Sequence, residues 1–136
     1  AISLKNGVTY ELSIVILNEL ETPIEDVTRE LRMELDEHQF FFTGEKVASP
    51  ASKATSPIIT QEYADKDKDG FPVGLINTVK AEAAGEGTMT IMLRHMPPIN
   101  DTPLKTGMLA ELVKNGQTSE LPGNVDIDVE FPITVE

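Results

Sequence analysis

A chain of 136 residues has the size of one domain built around one core. Its 11 Lys and Arg against 23 Asp and Glu leave a net charge of −12, which repels nucleic-acid backbones and anionic membranes and favours cations. The absence of cysteine excludes disulfides, thiol catalysis and Cys-ligated zinc.

No apolar run reaches the length of a membrane span, and residues 1–136 show no signal-peptide pattern. Residue 1 leads almost directly into a strand, so a processed segment is expected upstream of it. Val8–Leu17 carries Val8, Tyr10, Leu12, Ile14 and Ile16 on one face at period two, the pattern of a half-buried strand. A helix is expected next. Thr22 is its N-cap, Pro23 takes the first helical position, and Glu25 completes a capping box. Ile24, Val27, Leu31 and Leu35 then form one apolar stripe.

The helix ends on Glu34, Asp36 and Glu37, where the dipole is itself negative. His38 to Phe42 follows as a buried strand that stops at Gly44, and residues 45–57 form a loop. Further strands are expected at Ile58–Tyr63, Leu75–Ala83 and Thr88–His95. In the last of these, Met89, Ile91, Leu93 and His95 share a face. Residues 99–123 read as a long loop with a helical turn near Met108–Val113. The closing stretch alternates Val125, Ile127, Val129, Phe131, Ile133 and Val135 with Asp126, Asp128 and Glu130, and Pro132 argues for an edge position or a bulge. Six or seven strands and one helix point to an all-β fold. The expected architecture is an antiparallel immunoglobulin-like β-sandwich with one helical crossover, a single domain over residues 1–136.

Two groups of residues carry candidate chemistry. If the helix runs on, Glu34, Glu37 and His38 lie on one side of it, and acids at a negative helix end are unfavourable unless solvent or a cation relieves them. Meeting His95 from another strand, they would form a site for zinc or copper. The competing reading is a solvated helix end. Met92 and Met96 flank His95, but strand alternation turns them to the opposite face, so they read as core filler rather than thioether ligands. Asp65, Asp67, Asp69 and Gly70 match the opening of a calcium loop. Ile76 stands where that loop requires a bidentate Glu, and the competing reading is a polar turn held by Asx hydrogen bonds. No nucleophile elbow, phosphate-binding glycine loop or His-Glu-x-x-His helix is present, which argues against an enzyme.

Several segments occur together in a recognisable order: ISLKNGVTYELSIVILNE, DEHQFFF, DKDKDGFPVGL, GTMTIMLRH and VDIDVEFPITVE. In these the chain resembles a group of small Bacteroidota cell-envelope lipoproteins carried under the loose label "type 1 periplasmic binding fold". The strand pattern differs from the larger α/β molecule that the label describes. The resemblance implies export, a lipid anchor at a cysteine upstream of residue 1, a place at the outer membrane or cell surface, and association with a TonB-dependent receptor. The resulting expectation is a non-enzymatic module that captures a metal ion or metal complex for such a receptor. The alternatives are a protein-interaction sandwich with no small ligand and a calcium-stabilised domain.

Overall fold

The computed structural model describes residues 1–136. In chain order its elements are β1 (Ile2–Leu4), β2 (Thr9–Ser13), β3 (Leu17–Asn18), β4 (Glu25–Asp26), α1 (Thr28–Arg32), β5 (His38–Thr43) and β6 (Val47–Ala48). They continue with β7 (Ile59–Tyr63), β8 (Ile76–Ala81), β9 (Gly85–His95), α2 (Leu109–Lys114) and β10 (Asn124–Val135). Two sheets of four strands, ordered β1-β10-β9-β5 and β2-β8-β7-β6, pack face to face as a sandwich. Pairing is mainly antiparallel, but β1 runs parallel to β10 and β6 parallel to β7. The helical crossover carries the chain from the β2 sheet to the β5 sheet.

The main core lies between the sheets and takes Phe40 and Phe42 from β5, Met89, Ile91 and Leu93 from β9, and Ile133 and Val135 from β10. A second cluster packs on the outer face of β5, where Phe41 meets Met96, Leu109 and Leu121. Alternation along β5 sends Phe40 and Phe42 one way and Phe41 the other, and both faces are covered. That is why His38 to Phe42 are all buried although β5 ends its sheet.

The helix expected from Thr22 is much shorter than its capping signals indicate. Thr22 is not an N-cap, and Pro23 and Glu25 lie ahead of the helix. The backbone there is committed across the chain instead. Glu25 and Asp26 pair with Asn18 and Leu17, and the Val27 N–H donates to Ile16 O at 3.0 Å. The helix starts only at Thr28, whose N–H is taken by Asp26 Oδ1 at 3.0 Å. Ile24 is exposed, while Leu31 is buried. The same contacts shorten the first long strand. β2 ends at Ser13, and the Ile16 N–H donates to Thr28 Oγ1 at 2.8 Å rather than to a ladder.

Pro132, expected at an edge or a bulge, lies where one side of β10 is open. β1 pairs only with Ile133–Val135. Glu136 donates its N–H to Leu4 and accepts from Asn6. By two-residue alternation Pro132 turns its missing donor to that same side, just past the end of β1.

Candidate metal centre

Alternation decides which side chains face the interior. On β5, His38 shares a face with Phe40 and Phe42, and on β9, His95 shares a face with Leu93, Ile91 and Met89. The antiparallel register sets His38 directly opposite His95. Because the Met96 N–H donates to Glu37 O at 2.6 Å, the adjacent pair is the non-hydrogen-bonded kind, in which side chains approach most closely. The imidazoles accordingly stack, with centroids 4.3 Å apart and 1° between their planes.

The acids arrive by a different route from the one expected. The helix ends at Arg32, and Glu34 sits at φ −133° and ψ 40°, outside helical geometry. A single 3-10 turn, Leu35–Glu37, then delivers the chain into β5. The Met96–Glu37 bond fastens that turn over the end of β9. Glu34 Oε2 lies 3.6 Å and Glu37 Oε1 3.5 Å from His95 Nε2. His38 Nδ1 donates to Glu34 O at 2.8 Å, which leaves its Nε2 as the lone-pair nitrogen. Glu34, His38 and His95 each offer a ligand atom, all within 4.8 Å of one another.

His95 Nε2 is sealed from solvent and has no hydrogen-bond partner, although 33% of the side chain is accessible. Two ligands about 2.1 Å from one tetrahedral ion stand about 3.4 Å apart. The two carboxylate distances fit that spacing better than a hydrogen bond, which would be near 2.9 Å. The site opens into a cleft of about 410 Å³ floored by Leu31, Leu93 and Ile127. An ion bound along a ring's lone pair lies in that ring's plane, and the two planes are parallel and stacked, so joint ligation requires one imidazole to tilt.

Two further acids that the sequence reading did not select also line the cleft, Glu30 and Asp126. Strict alternation would send Asp126 outward. It is instead the extra residue where the register of β10 against β9 slips between Val125 and Ile127, a bulge that re-aims its side chain. Gly123 and Arg94 brace the neighbouring backbone. Arg94 donates to the carbonyls of Pro122, Leu121 and Gly123 at 2.7, 3.2 and 3.2 Å. Met96 is buried in the second core cluster and Met92 packs against it, so no thioether faces the histidines.

The acidic loop lies elsewhere, between β7 and β8, and its carboxylates are spent on the protein itself. Asp65 accepts the N–H groups of Gly74, Leu75 and Ile76. Asp67 Oδ1 accepts those of Asp69 and Phe71, while Oδ2 pairs with Lys105 Nζ at 2.8 Å. Asp69 is exposed. This is the arrangement of the polar turn, with Asx hydrogen bonds, and the three carboxylates do not form a cluster of ligand atoms.

No protein-family model, curated protein or solved structure matches the chain.

Proposed function

We propose that this domain is a binding module for a divalent first-row cation, held by His38, His95 and Glu34 with Glu37 completing the shell. The sealed, unpartnered His95 Nε2 between two carboxylates at ligand spacing carries this reading. Nitrogen and oxygen donors favour zinc or copper(II), and the lack of a thioether lining the cleft disfavours copper(I). Glu34 is 48% exposed and Glu37 24%, so the ion would sit at the mouth of a cleft, where it can be loaded and released. Where Glu37 stays off the ion, His38, His95 and Glu34 alone leave a fourth position, which suits capture of a metal complex as well as a bare ion. Delivery to a TonB-dependent receptor at the outer membrane is the part of this reading that rests on the family resemblance alone.

Calorimetric titration with zinc and with copper(II) tests the site. Saturable binding near one equivalent is expected in the parent protein, with at least about ten-fold weaker binding in His38→Ala and His95→Ala. Absence of heat in the parent, or binding that survives both substitutions, would sink the proposal.

A further inference from the structure

From Asn124 to Pro132 one side of β10 has no strand beside it, because β1 covers only Ile133–Val135. Alternation from Glu136 leaves the N–H and C=O of Asp128 and Glu130 pointing to this open side. Beneath the edge the two sheets stand apart. A cleft of about 430 Å³ separates β10 from the Leu12–Leu17 segment, and Ser13 is the one polar residue of its wall. Ile14, Ile16, Phe40, Ile91, Ile127 and Phe131 line it, and Val15, Leu17 and Val129 are exposed at its mouth.

We infer that this edge takes an extended peptide of alternating apolar and basic residues, which adds a strand beside β10. Main-chain pairing with Asp128 and Glu130 would hold it, as in β-strand addition. Every second side chain would fall into the apolar cleft. The intervening ones would pass the outward carboxylates of Asp128 and Glu130, which select Lys or Arg. The net charge of −12 steers the same class of partner. A second copy of this chain fits poorly, because β10 against β10 sets these acids opposite one another, and like charges directly across a ladder are destabilising. Edge acids alone are a common guard against self-pairing, but here they border an open apolar wall rather than a covered one.

Fluorescence anisotropy with labelled peptides tests the pairing. The probes are a Val-Lys alternating peptide of about eight residues, its Val-Glu counterpart, and the Val-Lys peptide N-methylated at alternate residues. The Val-Lys peptide should bind about ten-fold tighter than Val-Glu, the scale of two cross-strand charge pairs. N-methylation should abolish binding. In the doubly substituted Asp128→Lys, Glu130→Lys protein, whose exposed positions leave the core untouched, the preference should invert. Equal binding of both charges, indifference to N-methylation, no binding of any peptide, or concentration-dependent dimerisation through β10 would each overturn the inference.

Discussion

Lys105 and Asp67 form an ion pair inside the protein, 2.8 Å from Nζ to Oδ2, with side-chain exposures of 1% and 0%. Lys105 also donates to Leu35 O at 3.1 Å, in the turn that delivers Glu34 and Glu37 to the histidines. Burial pulls the ammonium below its ordinary range despite its carboxylate partner. The pair thus ties the acidic loop to the base of the candidate metal site.

Replacing one member strands the other. Lys105→Met should destabilise the fold by about 3–5 kcal/mol, because a buried carboxylate loses its counter-ion. Adding Asp67→Asn should recover part of that loss, since the amide keeps an acceptor for the Asp69 and Phe71 N–H groups without the charge. Urea denaturation of the parent, the two single variants and the double variant measures it. A double variant weaker than the sum of the two singles would contradict the coupling.

Acid should act through the same residue. Burial pushes the Asp67 carboxyl up, but the hydrogen bonds from Lys105 and from the Phe71 and Asp69 N–H groups outweigh it and hold it below its ordinary 3.8. With the folded value below the unfolded one, the unfolded chain binds more protons in acid. The stabilisation is present above the unfolded value and is lost as pH falls through the folded one. Asp67→Asn lacks this dependence, so its stability deficit should narrow below about pH 4. A deficit that stays constant across a pH series would show that Asp67 is not the group involved.

Gly123 controls the end of β9. At φ +75° a Cβ would stand 2.0 Å from His95 O. Gly123→Ala must therefore move the backbone that carries His95, at an expected cost of about 3 kcal/mol and with weakened zinc binding. Gly116→Ala has a similar φ of +78° but open space around it, so it should cost only about 1 kcal/mol and leave zinc binding intact. Equal effects of the two substitutions in denaturation and zinc titration would refute the positional argument.

The two cation readings separate in a melting experiment. Zinc at about 100 times its dissociation constant should add about 2.7 kcal/mol of stability, reversed by EDTA and absent in His95→Ala. Calcium should leave the melting temperature unchanged, because Asp65 and Asp67 already have their partners. A rise with calcium that Asp69→Ala removes would restore the calcium-loop reading.

Short-range patterns were legible. Alternation placed Met89, Ile91, Leu93 and His95 on one face and identified β10, because a strand's period is set locally by the backbone. The helix from Thr22 was misread because its capping signals are also local, while the competing Leu17–Asp26 and Ile16–Val27 pairings join residues well apart in the chain. Lys105 gave no signal at all, being one lysine in a long loop.

By itself the sequence determined the all-β class, the acidic field, the face on which His95 lies, and the turn-forming character of the Asp65–Gly70 loop. Only the tertiary structure decided that the two imidazoles stack, that a bulge turns Asp126 toward them, and that Asp67 belongs to Lys105. Those facts depend on the register between β5, β9 and β10 and on a loop folding back, and such long-range pairings leave no periodic trace in the chain.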